Sequence, residues 1–146
     1  MSKRKRILSG MRATNPQLHI GNYEGALRPW VELQKDHKMY CMVADWHGLT
    51  ELKSEPMDIA FNAREVAKDF VAAGLDPDQS SIFVQSHVKE HAELALLLGM
   101  VIHVGKLERN PTYKDQLLAL EGTESTLSYG FLGYPVLQSA DILLYK

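Results

Sequence analysis

Continuous apolar runs of strand length alternate with stripes of helical spacing through the first half of the chain. The strand-like runs are Ile7–Ser9, Met39–Ala44 and Ser81–Gln85. Continuous apolar character is typical of parallel strands that are covered on both faces. The order strand, helix, strand, helix, strand therefore predicts an α/β fold, a Rossmann-like parallel sheet with helices on both faces.

Two helices are predicted between these strands. The first spans 22–38, where apolar residues recur with the spacing of one helix face. The second starts at Ser54 or Glu55, because a proline such as Pro56 is tolerated in a first helical turn, and Gly74 ends it. Its apolar stripe consists of Ile59, Ala63, Val66, Ala67, Phe70 and Val71.

Segment 92–104, in the second half of the chain, would form a helix that is apolar on nearly all of its faces. Such a helix is buried in a large core or packed on another subunit, and in a chain of this length we expect a homodimer interface. The charged segment 106–113 is interrupted by Pro111, and 121–125 has the composition of a loop.

The last segment predicts a helix over 127–140, kinked near Pro135, that leads into a strand over 142–145. A chain that stops on an apolar strand lacks a covering helix. We therefore expect the sequence to be a fragment of a longer chain, with an incomplete sheet.

Composition narrows the class of protein. The 146 residues, 45% of them apolar, suit one globular domain, and a formal net charge of −2 argues against whole-surface attraction to nucleic acid. Cys41, the single cysteine, lies in an apolar run and is expected to be a buried, unreactive thiol. No apolar run reaches about 18 residues, and the basic start Lys3–Arg6 is not followed by a signal-peptide core, so we expect a cytoplasmic protein without membrane contact.

A first candidate site is the tetrad His19-Ile20-Gly21-Asn22, which follows the first strand and opens the first helix. Backbone N–H groups at a helix N-terminus attract anions, Gly21 permits close approach, and His19 can donate to phosphate oxygens. Arg12, in the preceding turn, offers a fork of donors for phosphate. The pattern indicates a nucleotide site, and a polar connection with a surface Arg is the alternative.

A second candidate site is the set Tyr134, Gln138 and Asp141, whose i, i+4, i+7 spacing places them on one helix face. Asp141 has apolar neighbours, so its carboxylate is expected to be partly buried and to need a donor. That donor is either a ligand N–H or O–H, or an internal partner of an ordinary helix-end Asp.

His47 ends the second strand within Asp45-Trp46-His47, at the sheet edge where open α/β folds bind ligands. A structural His bonded to its own loop is an equally good interpretation. His87 and His91 have an i, i+4 spacing that suits a metal, but no third ligand is evident, so no metal site is predicted. No G-x-S-x-G or G-x-G-x-x-G pattern is present, which argues against a serine hydrolase and a nicotinamide cofactor.

Taken in order, seven motifs resemble those of the tryptophanyl-tRNA synthetases, a family of class I aminoacyl-tRNA synthetases. They are LSGMR, LHIGNYEGAL, WVELQ, VADWHGLT, GLDPDQSSIFVQS, GKLER and YPVLQSADILLY, and they are distributed along nearly the whole length of the chain. HIGN resembles the HIGH signature of class I enzymes.

The resemblance implies a Rossmann-like fold of the HUP type, with 1–146 as the N-terminal part of the catalytic domain. It implies activation of tryptophan with ATP to tryptophanyl-adenylate and transfer to tRNA(Trp). ATP would carry Mg²⁺, and the protein would hold no structural metal. The second signature, KMSKS, and the anticodon-binding helical domain are absent from the sequence, so we expect this chain alone to be inactive in aminoacylation.

The resemblance also implies roles for individual residues. His19 and Asn22 would be catalytic. The ATP site would include Arg12, Ala13, Thr14, His19, Gly21 and Asn22. Asp141 would accept the indole N–H of tryptophan in a pocket formed with Leu8, Gly10, His47, Tyr134 and Gln138.

The turn Arg12-Ala13-Thr14-Asn15 departs from the family pattern, which usually reads Gln or Arg, Pro, Ser or Thr, Gly, and it is one residue longer before His19. Tyrosyl-tRNA synthetases share the longer turn and a Tyr-x-x-x-Gln-x-x-Asp arrangement, so they are the alternative. ADWHGLT and GNYEGAL favour the tryptophan enzymes. A synthetase-like module that binds nucleotide or tRNA without catalysis is a further alternative.

Overall fold

The structure, a computed structural model, describes residues 4–50, 58–120 and 127–146. Within these residues, the strands β1 (Arg6–Arg12), β2 (Lys38–Ala44) and β3 (Ser80–Val84) form one sheet in the order β1-β2-β3. Both strand pairs are parallel, with Ile7 opposite Met39 and Cys41 opposite Ile82. The three strands predicted in the first half of the chain and their parallel sheet are confirmed.

The helix predicted after β1 is present but differs in its bounds. It begins as α1 (Ile20–Asn22), continues as a π-helical turn over Tyr23–Leu27, and returns to α-helix as α2 (Arg28–Leu33). It ends before the predicted Lys38 because the Lys38 N–H already donates to the Lys5 carbonyl, at 2.9 Å, as β2 begins.

A short helix, α3 (Asp45–Gly48), follows β2 directly, and α4 (Ile59–Ala72) precedes β3. The predicted start of α4 at Ser54 or Glu55 lies outside the described residues, and Asp58 caps the helix by accepting from the Phe61 N–H. Gly74 ends it, as predicted, at a φ of 107° that favours glycine.

A 3-10 turn over Gln85–His87 leads from β3 into the helical second half. The predicted helix within 92–104 is confirmed as α5 (Glu90–Val101), followed by α6 (Val104–Leu107). Pro111, predicted to interrupt the charged segment, instead begins α7 (Pro111–Leu120), since proline suits the first helical position. The predicted loop at 121–125 lies outside the described residues.

The final helix, α8, spans Tyr129–Leu144 with Pro135 inside it. The strand predicted over 142–145 is therefore wrong. A short apolar run suits a buried helix as well as a strand. Helical spacing brings Asp141 and Tyr145 together on one side, where both contact His91.

One face of the sheet is closed by α2 and α4. Side chains of all three strands pack there with those of the two helices, among them Met39, Cys41, Val43, Val84, Trp30, Val66 and Phe70. The Trp30 and Phe70 rings meet edge to face at 5.3 Å. Each such buried side chain contributes about 1.5–3 kcal/mol to folding. The predicted burial of Cys41 is confirmed, and burial raises the pKa of its thiol to about 12.

The opposite face of the sheet packs against α5 and α8. The Tyr145 ring lies 4.9 Å from that of Tyr40 and 5.7 Å from that of Phe83, which in turn lies 6.1 Å from the His91 ring. Helices on both faces are thus confirmed. Of the helices that the structure describes, none is long and apolar enough to span a bilayer.

Candidate functional site

A cleft of about 640 Å³ lies between the second face of the sheet and α8, and we call it the Asp141 pocket. The carboxyl-terminal halves of β1 and β2 form one wall, and α7 and α8 contribute to the other. All six residues predicted for the amino-acid site line this pocket: Leu8, Gly10, His47, Tyr134, Gln138 and Asp141. The predicted common face of Tyr134, Gln138 and Asp141 is therefore confirmed.

Aromatic side chains of α8 form part of the pocket wall. Ser128 caps the helix by accepting from the Phe131 N–H, and the rings of Phe131 and Tyr134 lie 5.8 Å apart. The Tyr134 hydroxyl accepts a hydrogen bond from the Asn110 side chain at 3.1 Å. These contacts hold the two aromatic rings and the Tyr134 hydroxyl in the same pocket wall as Asp141.

The Asp141 side chain, 4% exposed, lies among three donors. His47 Nε2 lies 2.8 Å from Oδ2, and His91 Nδ1 lies 2.6 Å from Oδ1. Gln85 Nε2 donates to both oxygens, at 2.9 Å and 3.1 Å. The interpretation of Asp141 as a residue with internal partners is therefore confirmed. The carboxylate also lines a pocket, and a ligand donor there stays a prediction.

The charge of Asp141 is stabilised by these donors. Burial by itself would raise the pKa of the carboxyl group, but hydrogen bonds from His47, His91 and Gln85 outweigh it. The pKa of Asp141 therefore lies below its ordinary value. The pocket presents an ionised acceptor in a nearly water-free position, where a charge-assisted hydrogen bond is strongest.

His47 lies in α3, directly after the carboxyl end of β2, and its side chain lines the pocket. Asp45, also buried, accepts from the Ser86 N–H at 3.0 Å and so ties the ends of β2 and β3 together. The Thr50 hydroxyl donates to the His47 carbonyl at 2.8 Å. The His47 side chain bonds to Asp141 and not to its own loop, and it lines the pocket; a role in ligand binding stays a prediction.

Gln85, His91 and Tyr145 also belong to the hydrogen bonds around Asp141, and the sequence did not indicate them. Gln85 is the first residue after β3, at the same sheet edge as His47, and this position could have indicated it. His91 is fully buried, whereas His87 is exposed. Among the described residues, no group of three or more His, Cys, Asp or Glu side chains could hold a metal ion.

A second cleft, of about 390 Å³, lies beside the turn between β1 and α1, and we call it the His19 pocket. Four of the residues predicted for the ATP site line it: Arg12, Thr14, His19 and Asn22. The Ala13 side chain is instead fully buried in the core, so only the Ala13 backbone could contribute to a ligand site.

His19 and Asn22 cap the first helix reciprocally. The Asn22 N–H donates to His19 Nδ1 at 3.2 Å, and the His19 N–H donates to Asn22 Oδ1 at 3.1 Å. Because Nδ1 accepts, the ring proton lies on Nε2, which can donate to a ligand. A side chain at Gly21 would meet the His19 ring at 3.0 Å, so glycine makes room for this ring position.

The two pockets meet at Gly10 and Arg12, which line both. The turn that follows is held to α4, because the Leu18 N–H donates to the Asp69 carboxylate at 3.2 Å. A Cβ at Gly10 would lie 3.2 Å from the Met42 carbonyl oxygen of the neighbouring strand. Glycine therefore avoids a clash with β2 at the point where the two pockets adjoin.

A parallel sheet with helices on both faces and two adjoining pockets at the carboxyl ends of its strands defines a Rossmann-like α/β domain. The chain belongs to the class I tRNA synthetases for tryptophan and tyrosine, since the model of that family, tRNA synthetases class I (W and Y), matches residues 1–146.

Individual relatives of this chain are named tryptophan–tRNA ligases. The chain is 52% identical, over 143 residues, to a tryptophan–tRNA ligase of Ralstonia nicotianae and covers 35% of it. It is 51% identical, over 142 residues, to that of Thermotoga maritima and covers 43% of it. In both cases 97% of this chain is matched.

Among solved structures, the tryptophanyl-tRNA synthetase of Campylobacter jejuni, complexed with ADP and tryptophan, matches with a TM-score of 0.81 at 35% identity. The match covers 94% of this chain and 41% of that one. The chain thus spans between a third and a half of the length of these relatives.

Proposed function

We propose that this chain forms the part of a tryptophan–tRNA ligase that binds tryptophan and ATP, the N-terminal part of the Rossmann catalytic domain. In the reaction, a tryptophan carboxylate oxygen attacks the α-phosphorus of ATP and forms a new P–O bond. The bond to the pyrophosphate leaving group breaks, which yields tryptophanyl-adenylate and pyrophosphate. Transfer of the tryptophanyl group to tRNA(Trp) follows.

The observation that carries this proposal is the ionised Asp141 carboxylate in the wall of an aromatic-lined pocket. An indole N–H can only donate, so a pocket that selects tryptophan must present an acceptor. A hydrogen bond to a carboxylate contributes about 1.5–3 kcal/mol. Phe131 and Tyr134 supply the flat apolar surface that an indole ring packs against.

The His19 pocket supports the ATP half of the proposal. His19, held by its cap with Asn22, directs its Nε2–H away from the helix and can donate to phosphate oxygens. Arg12 lines both pockets, where it could stabilise charge that develops between carboxylate and phosphate. ATP would enter with Mg²⁺ as its counter-ion. The enzyme's contribution is thus mainly positioning and charge stabilisation.

The same fold with tyrosine as substrate is the second candidate, since the family model covers both amino acids. The names of the two relatives at 51% and 52% identity favour tryptophan. A module that binds these ligands without catalysis is the third. The relatives' greater length supports the expectation that this chain alone binds ligand without charging tRNA.

The test is a pyrophosphate-exchange assay that depends on both ATP and the amino acid, run with tryptophan and with tyrosine, alongside calorimetric binding of each. Tryptophan-dependent exchange, or tryptophan binding without exchange by this chain, supports the proposal. Preference for tyrosine would assign the second candidate. Binding of neither amino acid would overturn the tryptophan assignment.

The proposal includes a homodimer in the cytoplasm. Helix α5 and the residues after it expose large apolar side chains: Leu96, Leu97, Met100, Val101 and Val104 are each 56–74% exposed. A second copy that covers this surface would remove it from water. Sedimentation at several concentrations measures the association, and Leu97→Glu with Met100→Glu should abolish it.

A further inference from the structure

Two consecutive hydrogen bonds, one buried and one partly buried, connect the Asp141 carboxylate with His91 and Tyr145. His91 Nδ1 lies 2.6 Å from Asp141 Oδ1, and His91 Nε2 lies 3.0 Å from the Tyr145 hydroxyl. Neither His91 nor Tyr145 lines the Asp141 pocket. Their bonds therefore act on the carboxylate from the side opposite to a ligand.

The chemistry of the three groups sets the direction of these bonds. A carboxylate only accepts, so the His91 Nδ1 atom that faces it carries a proton. In the neutral ring, Nε2 then accepts from the Tyr145 hydroxyl. Burial, followed by the charge of Asp141, raises the pKa of Tyr145 to about 12, so the phenol keeps its proton for this bond.

The two carboxylate oxygens are not equivalent. Oδ1 accepts from His91 and from Gln85 at 2.9 Å, and both donors are fully buried. Oδ2 accepts from His47, which lines the pocket, and more weakly from Gln85 at 3.1 Å. A carboxylate has about four acceptor sites, and these contacts occupy two on each oxygen. The longest of them, from Gln85 at 3.1 Å, lies on Oδ2 beside the pocket, so a ligand N–H would compete with that contact.

We propose that His91, supported by Tyr145, is a positioning residue that holds the Asp141 carboxylate as a hydrogen-bond acceptor and so makes the pocket select ligands that carry an N–H donor. The inference rests on the proposed function for its ligand, tryptophan. It assigns the selectivity to residues that the ligand does not touch. Without the His91 donor, Asp141 would protonate more readily or rotate, and either change would weaken the acceptor at Oδ2.

Other titratable groups surround the hydrogen-bonded residues Asp141, His91 and Tyr145 and contribute to the pH dependence of Asp141. His47 faces Asp141 from α3, and Arg12 lines the pocket from β1. Glu90 of α5 and Tyr40 of β2 both act on Tyr145, and each raises its pKa further. Substitution of His91 changes none of these groups, which makes it the specific probe.

The first test measures the carboxyl group directly in this chain. The ¹³C chemical shift of the Asp141 carboxyl is followed against pH, and ¹⁵N shifts report which His91 nitrogen carries the proton. His91→Leu should raise the pKa of Asp141. His91→Asn should restore most of the native value, because its amide N–H can replace Nδ1–H.

Tyr145→Phe is the milder variant and keeps the ring packing. It should allow the His91 proton to move to Nε2 and raise the pKa of Asp141 by less than His91→Leu does. Tyr40→Phe removes a hydroxyl from the adjacent ring, 4.9 Å away, and serves as the matched control. If His91→Leu does not fold, Tyr145→Phe decides the outcome. An Asp141 titration equal to the native one in every folded variant overturns the inference.

The second test separates selectivity from general loss of structure. Affinities are measured for L-tryptophan and for L-3-benzothienylalanine, in which sulfur replaces the ring N–H. His91→Leu should lower the ratio of the two affinities about tenfold, with little change for the sulfur analogue. Equal losses for both would show a merely structural role and overturn the inference. If the native chain binds neither compound, the proposed function fails, and the carboxyl titration still decides the role of His91.

Discussion

His47 Nε2 and Asp141 Oδ2 lie 2.8 Å apart although 94 positions separate them in the chain. The contact joins the carboxyl end of β2 to the last helix. It also places the carboxylate at the border between an open pocket and a buried polar network. Asp141 can therefore be tested both as a ligand acceptor and as a contributor to folding.

Asp141→Ala should weaken tryptophan binding at least tenfold. The substitution removes the charged acceptor and leaves the His47 and His91 donors unpaired, and a hydrogen bond to a charged group contributes about 1.5–3 kcal/mol. Calorimetric titration with tryptophan measures the change. Asp115→Ala, at an exposed position of α7, is the control and should bind normally. An unchanged affinity in Asp141→Ala would refute the acceptor role.

His19→Asn should separate the capping role of His19 from its phosphate role. Asparagine is a good N-cap residue, so thermal stability should change little, whereas loss of a cap costs about 0.5–2 kcal/mol. The Nε2 donor is lost, and we expect the rate of adenylate formation to fall about tenfold to a hundredfold.

The measurement is pyrophosphate exchange in the intact enzyme, with tryptophan affinity determined in parallel. His19→Ala is the matched comparison, because it removes the cap as well and should also lower the melting temperature. Should tryptophan affinity fall as much as the rate in His19→Asn, a role in the transition state would be ruled out.

Gly10→Ala should destabilise the fold and narrow both pockets. The new Cβ would lie 3.1 Å from Met42 Cε and 3.2 Å from the Met42 carbonyl oxygen. The Met42 side chain can move but its carbonyl group in β2 cannot. We therefore expect the free energy of unfolding, measured in urea, to fall by about 1–3 kcal/mol. Gly25→Ala is the control, since a Cβ there meets nothing within 4 Å.

The stability contributed by Asp141 should disappear in acid. Its pKa is lowered in the folded state, so between that value and the ordinary 3.8 the unfolded chain binds more protons. The contribution is fully present above the ordinary value and is lost as the pH falls through the folded value. The free energy of unfolding, measured in urea between pH 6 and pH 2.5, should fall less with decreasing pH in Asp141→Asn than in Asp115→Asn. Equal slopes for the two variants would contradict the lowered pKa.

Local patterns were sufficient for most secondary structure in the first half of the chain. Apolar runs identified β1, β2 and β3, and the stripe from Ile59 to Val71 identified α4. The spacing of Tyr134, Gln138 and Asp141 also predicted a common face, because helical periodicity is a property of the backbone alone. The strand predicted over 142–145 failed because an apolar run of that length has no period that excludes a helix.

The residues that line the Asp141 pocket were predictable, and the donors that hold Asp141 from outside the pocket were not. The six residues predicted for the amino-acid pocket line one cleft, whereas Ala13, predicted beside ATP, turns its side chain into the core. Successive residues of an extended strand point to opposite faces of the sheet, so Arg12 and Ala13 face different sides. The packing of α8 decides which of these two faces carries the pocket.

By itself, the sequence determined the alternation of strands and helices, the residue types in the pocket, and the resemblance that connects them to a family. Only the tertiary structure decided which donors reach Asp141. Gln85 and His91 lie 56 and 50 positions away from it, and nothing in the local pattern of either residue points to that carboxylate. Periodicity acts over a few residues, whereas a hydrogen bond of about 2.9 Å requires distant elements to pack in one particular arrangement.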